Sequence, residues 1–204
     1  SPLLPYTTLF RSDIPFEAIV MRGVITEDGE LEMTPAEDQF LVFPAQAIVE
    51  GNSQQVFRVQ YVGEPELPQS EIYYLALRQV PVEFEGETSQ VQIVVNYNVL
   101  INVVPDGTAP LPAVAEVSPA TQDEKNGLKL LVRNDGNRYF MAGLSDWVVT
   151  GVTSDGAPYE SKFKGGELTR HIGVGVVGPG RARRFFLPTD VKLNPGSVQV
   201  EINP

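Results

Sequence analysis

From Val91 to Val104 the chain runs VQIVVNYNVLINVV, fourteen residues with no glycine, proline or charged side chain. A strand that crosses one layer of a β-sandwich needs about five or six residues. Successive side chains of a strand point to opposite faces. The odd positions, Val91, Ile93, Val95, Tyr97, Val99, Ile101 and Val103, are all apolar, whereas the even positions, Gln92, Val94, Asn96, Asn98, Leu100, Asn102 and Val104, are mixed. One face of this strand is therefore hydrophobic over more length than a single sandwich layer uses.

The rest of the chain repeats the same grammar in shorter phrases. FEAIVMRGVI (16–25) reads as a strand followed by a turn at EDGE, and FLVFPAQAIV (40–49) as a strand bent, or held at an edge, by Pro44. QQVFRVQYV (54–62) and IYYLALRQVPVEF (72–84) follow as strands. PDGTAPLP (105–112), with three prolines in eight residues, reads as a stiff hinge. Beyond it LKLLVRN (128–134), YFMAGLSDWVVTGV (139–152), HIGVGVV (171–177), ARRFFLP (182–188) and SVQVEI (197–202) read as strands between Asp-Gly, Gly-Pro-Gly and Asn-Pro-Gly turns. A weak internal echo sets IVEGNSQQVF (48–57) against VGPGRARRFF (177–186), with Gly51 on Gly180 and Phe57 on Phe186. Short strands with turn residues between them predict an all-β chain of sandwich type.

At 204 residues the chain accommodates two sandwiches of about 100 residues each. The predicted division is an N-terminal domain over 13–104, a linker over 105–112 and a C-terminal domain over 113–204. PYTTLFRS (5–12) resembles one reading frame of a sequencing-library adapter, and residues 1–12 are set outside the fold; the other reading is a strand from Tyr6 to Phe10. A net charge of −11 argues against nucleic acid or an anionic membrane as the main partner. With no cysteine, disulfide and zinc-thiolate frameworks are excluded. No segment reaches the roughly 18 apolar residues of a membrane-spanning helix.

Residues suited to bond chemistry are sparse, and no catalytic, metal or cofactor site is expected. His171 is the only histidine, so a histidine-rich metal site is excluded; in TRHIGVG it is expected to begin a strand. The acidic stretch TEDGELEMTPAEDQ (26–39) lacks EF-hand spacing and reads as a solvated hairpin and loop. GVGVVGPG has the glycines of a phosphate loop but is followed by a strand-like segment rather than a helix. Arg181, Arg183 and Arg184 read as a charged turn that keeps a sheet edge soluble. Two readings of the long strand stay open. It is buried wholly inside its own sandwich, or it pairs with another protein's sheet, main-chain hydrogen bonds giving affinity and alternate side chains filling a groove.

The ordered series FRVQY, YYLALRQVPVEF and SQVQIVVNYNVLINVVP, with LLVRNDGNRYF and VGPGRARRFFLP in the second half, resembles the periplasmic pilus-assembly chaperones of the chaperone–usher pathway, the PapD-like family. The resemblance implies two immunoglobulin-like domains in tandem, bent around a cleft. It also implies a non-enzymatic role in the periplasm. The long strand would be lent to incomplete pilus or fimbrial subunits, which then pass to an outer-membrane usher, with neither nucleic acid nor membrane insertion involved. Carried onto this chain, the donor side chains match Val91, Ile93 and Val95, with Tyr97 as a fourth. Arg58 and Arg78 match recurring arginines of structural or partner-contacting role.

Two departures accompany the resemblance. The family's basic anchor for the subunit carboxylate would need a lysine where this chain has Leu100, or Asn98 in another register, and an amide supplies no point charge. The first domain is also expected to lack its opening strands, which would expose an edge and an apolar face. The alternative class is a structural or adhesive tandem immunoglobulin-like surface or pilus protein, in which the whole long strand is buried.

Overall fold

The computed structural model of the chain describes residues 13–81 and 94–204. Its regular structure is almost entirely β, in two compact units. The first comprises the chain through Gly23, Met33–Pro65 and Ile72–Val103; the second comprises Val24–Glu32, Glu66–Glu71 and Val104–Pro204.

The first unit is built from β1 (Ile14–Ile25), β2 (Leu31–Pro35), β3 (Phe40–Phe43), β4 (Gln46–Val49), β5 (Arg58–Tyr61), β6 (Glu71–Gln79) and β7 (Asn96–Val103), except for residues 24–25, 31–32 and 71 at the ends of β1, β2 and β6, which fall in the second. One sheet has the order β2-β1-β6-β7, with β4 also on β1, and a small second sheet pairs β3 with β5. Alternation along β1 turns Ile14, Phe16, Ala18 and Val20 inward. Val20, Tyr73 and Leu75 meet Phe40, Val42, Val59 and Tyr61 from the other sheet, so the core lies between the two layers. The Phe40 ring packs edge-on at 5.2 Å from Tyr61 and 4.8 Å from Tyr73, the offset geometry that aromatic quadrupoles favour. Pro44 forms the expected bend. It follows a cis Phe43–Pro44 peptide, and the chain changes there from the β5-paired β3 to the β1-paired β4.

The second unit contains β8 (Pro112–Gln122), β9 (Lys125–Asn134), β10 (Phe140–Met141), β11 (Asp146–Val152), β12 (Pro158–Phe163), a single-turn helix α1 (Thr169–Ile172), β13 (Val176–Val177), β14 (Ala182–Pro188) and β15 (Gln199–Asn203). Its sheets are β14-β9-β8, β12-β11-β15 and the pair β10–β13. Leu128, Leu130 and Val132 of β9 and Leu187 of β14 bury against Trp147 and Val149 of β11. The Trp147 indole N–H donates to the Ala142 carbonyl at 2.9 Å, so the largest core side chain leaves no orphan donor.

Asn134 is the buried polar pivot of this unit. Its Oδ1 accepts from the amides of Leu111 and Gly136, both at 3.1 Å, while Nδ2 donates to the carbonyls of Arg138 at 2.7 Å and Val177 at 3.3 Å. That uses its amide fully. It also ties the proline-rich stretch before β8 to the loop after β9, where Asp135 N–H donates to Leu111 and Asn137 N–H to Ala109.

Several sequence expectations are corrected. His171 does not begin a strand; it is exposed in α1, which ends at Gly173 with φ of 65°. Within HIGVGVV only Val176 and Val177 are strand. The run 139–152 is not one strand, because a 3-10 turn at Ala142–Leu144 separates β10 from β11. Gly143 explains the break: a Cβ there would lie 1.9 Å from the Gly173 carbonyl oxygen, so only glycine allows the two loops to meet. Strands β8 and β12 were not anticipated, whereas β2, paired with β1, forms the expected acidic hairpin. β8 contains Pro119, which reads as a breaker but is tolerated because β8 is an edge strand. The echoed turns also differ: the left-handed residue is Asn52 in the first and Gly180 in the second.

Arg183 and Arg184 lie on β14 rather than in a turn. Arg184 bonds Glu27 and sits 3.8 Å from Asp28 and 3.6 Å from Glu116, so the basic patch and the acidic hairpin are partners. The Glu27 carboxylate, by hydrogen bond and charge, raises the Arg184 pKa further.

Candidate functional site: the edge strand β7

β7 is the last strand of its sheet, and among the described residues β6 is its only sheet neighbour. Its inward row changes character along its length. Ile101 and Val103 pack against the first unit's core, whereas Tyr97 and Val99 are 43% and 49% exposed. Val94 is also exposed, and Val95 is half-buried. A strand edge with unpaired backbone groups and exposed apolar side chains can accept another strand.

Tyr97 also lines an apolar pocket of about 450 Å³ with Ile14, Phe16, Val49, Phe57 and Leu77. Its ring stands 6.3 Å from that of Phe16. The pocket is thus contiguous with the exposed part of the edge strand.

The expected site residues fall into distinct places. Val91 and Ile93 lie outside the described residues. The observed strand begins at Asn96 rather than Val91, with Val94 and Val95 preceding it. Tyr97 stands on the core-side row, whereas Asn98, exposed, and Leu100, half-buried, stand on the opposite face. Val99 was left out of the candidate set although it continues the Tyr97 row; the period-two pattern alone would have included it. Arg58 is exposed on β5 opposite Phe43, and Arg78 is exposed on β6 opposite Glu17. Leu41 and Phe43 of β3, 60% and 74% exposed, give Arg58 an apolar setting that the sequence reading did not single out.

Where β7 begins, side chains replace ladder bonds. The Val95 N–H donates to Gln79 Oε1 at 3.0 Å, and the Gln79 N–H donates to Asn96 Oδ1 at 3.3 Å. On its other side β6 stays paired with β1 through Gln79 and beyond, the Val80 N–H donating to Pro15.

The fold has known counterparts. The sequence profile of a family described as "Pili and flagellar-assembly chaperone, PapD N-terminal domain" matches residues 17–109. No curated protein matches the sequence at a significant level. Among solved structures, the class 5 fimbriae chaperone CfaA is similar with a TM-score of 0.52 and 11% identity, over 95% of this chain and 87% of its own. A chain from a chaperone–tip adhesin complex of CFA/I fimbriae gives 0.51 and 14%, over 94% and 81%. One from the Salmonella enterica SafA pilin–SafB chaperone complex gives 0.50 and 18%, over 95% and 84%. At these identities the likeness establishes the fold, and the family match covers the strands of the first unit. Residues 17–109, with β7 at their sheet edge, are thus similar to the PapD N-terminal domain of pilus-assembly chaperones.

Proposed function

We propose that this chain is a periplasmic chaperone of pilus or fimbrial subunits. It lends β7 to a subunit whose own sheet is incomplete and delivers that subunit to an outer-membrane usher. The observation that carries the reading is the exposure of Tyr97 and Val99 on an edge strand whose next two residues of the same row, Ile101 and Val103, are packed in the core. Rigidly held at one end and open at the other, such a strand offers main-chain donors and acceptors together with apolar side chains, with no bond chemistry required. The structural neighbours drawn from pilin and tip-adhesin complexes support this choice of partner.

Val91, Ile93 and Val95 extend the same odd-numbered row upstream and would fill the subunit's groove, with Tyr97 and Val99 completing it. The main chain around Asn98 and Leu100 would hold the subunit's end, the Asn98 amide donating a hydrogen bond beside Leu100, the position that matches the family's lysine. Arg58 and Arg78, exposed away from that row, would contact a partner elsewhere on the first domain. The competing reading, a structural tandem protein with its long strand buried, is disfavoured by the exposure of Tyr97 and Val99.

The test is co-expression with a fimbrial subunit lacking its final strand. Val99→Asp and the pair Ile93→Asp, Val95→Asp should abolish co-purification while leaving the circular dichroism of the chaperone unchanged. Undiminished co-purification would overturn the donor role.

A further inference from the structure

The apolar pattern of β7 leaves its register ambiguous. A slip of one residue would turn the hydrophobic row outward and is opposed strongly. A slip of two residues keeps Val or Ile at nearly every inward position, because Val95, Val99, Ile101 and Val103 are interchangeable in kind. The other face repeats asparagine at 96, 98 and 102. As an edge strand β7 has no second neighbour among the described residues to decide between these alignments.

We infer that Gln79 and Asn96 form a register lock for β7, a pair of positioning residues that fixes which side chains the strand presents. The inference rests on the donor-strand reading for its functional meaning but not for its geometry. Each residue supplies a side-chain oxygen to a backbone N–H across the β6–β7 boundary, Gln79 to Val95 and Asn96 to Gln79. β6 meanwhile continues its backbone pairing with β1 past this point, through Val80 to Pro15, so the change of partner is confined to the β7 side.

The two directions of slip fail for different reasons. One places Val94 beside Gln79, where it offers no side-chain acceptor to the Gln79 N–H. The other places Asn98 there and keeps the amide contact, but it carries Pro105, which has no N–H, into the strand position of Val103. Both remove the Tyr97 ring from its contact with Phe16. The lock thus opposes slip in one direction, the proline in the other, and the ring pair centres the strand between them. A lent strand needs this definition, because its partner's groove reads alternate side chains at fixed positions.

Amide exchange of the full chain, followed by NMR, reads the lock directly. In Gln79→Leu the Val95 amide should exchange about threefold to tenfold faster, the scale of one lost hydrogen bond, while Tyr73 and Val20 keep their protection. Gln79→Glu retains the acceptor oxygen and should restore protection at Val95. Asn96→Ala should speed exchange at Gln79 to a similar degree, which provides an independent reading where one variant folds poorly. Unchanged Val95 and Gln79 exchange in these variants overturns the lock. Capture of a co-expressed fimbrial subunit is measured in parallel, and Gln79→Leu should reduce it several-fold with Gln79→Glu rescuing it. If the wild type holds no subunit, the donor reading fails while the exchange result still decides the lock; if Gln79→Leu captures as well as wild type, the lock has no part in presentation.

Discussion

The ring of Tyr97 on β7 stands 6.3 Å from the ring of Phe16 on β1, tilted at 48°, although β6 runs between their strands. Strands two apart in a sheet are separated by about 9.6 Å, so the rings lean toward each other across β6, whose Leu77 lines the same pocket. Phe16 is buried, while Tyr97 is 43% exposed. Tyr97 is therefore at once the last side chain of the core and the first of the open edge.

This double position separates two effects. Tyr97→Ala should lower stability by about 1 kcal/mol, the scale of an aromatic pair, and should weaken subunit capture about tenfold or more. Val99→Asp should leave stability close to wild type and remove capture. Urea titration and co-purification measure the two quantities; equal capture by both variants and the wild type would show that this row makes no contact.

Asn134 makes the strongest stability prediction. Asn134→Ala removes two acceptor contacts and two donations at a fully buried position, leaving the Leu111 and Gly136 amides without that partner. The expected cost is about 2–3 kcal/mol. Trp147 is the only tryptophan and lies in the same core, so its fluorescence reports the transition.

Of the long strand the part over 96–103 was legible because its odd positions are all apolar, whereas residues 94 and 95 precede the observed strand and 91–93 lie outside the described residues; β1 was legible because its apolar positions recur at every second residue through Val20. Strand β14 and the Pro44 bend were legible for the same kind of reason, a pattern or a residue with few conformational alternatives. Other features depended on distance in space. Gly143 breaks the strand predicted over 139–152 because Gly173 approaches it, and nothing local announces that contact. Pro119 hid β8, since edge position is a property of the sheet and not of the segment. The exposure of Tyr97 and Val99 could not be read from period two, which places both on the core row. Arg184 and the acidic hairpin were visible separately as charge runs, and only the fold joins them.

Two aspartates give the second unit a defined acid response. The Thr153 hydroxyl donates to Asp155 and holds its carboxyl below the usual carboxylate range; the Lys164 ammonium and the Gly165 N–H do the same for Asp146. A carboxyl whose folded pKa is depressed adds stability that is present above the unfolded value and lost as pH falls through the folded one. The stability they contribute should therefore be complete above about pH 5 and decline below about pH 4. Asp155→Asn and Asp146→Asn should each flatten that decline, as measured by denaturant titration across this range.

Arg184 fastens the acidic hairpin by a backbone bond as well as by charge, its N–H donating to the Glu27 carbonyl at 2.7 Å. In Arg184→Gln the Gly29 and Arg184 amides should exchange faster, and the difference from wild type should shrink as salt rises, because the ion pairs are exposed. Exchange equal to wild type at every salt concentration would assign the fastening to the backbone bond alone, which both proteins keep.

Hydrogen exchange along β7, compared between the free chain and its complex with a fimbrial subunit, tests the central claim most directly. Lending the edge strand predicts new protection at those amides of residues 97–103 that do not pair with β6, strongest beside Tyr97 and Val99. Protection that leaves β7 unchanged and rises elsewhere on the chain would contradict it.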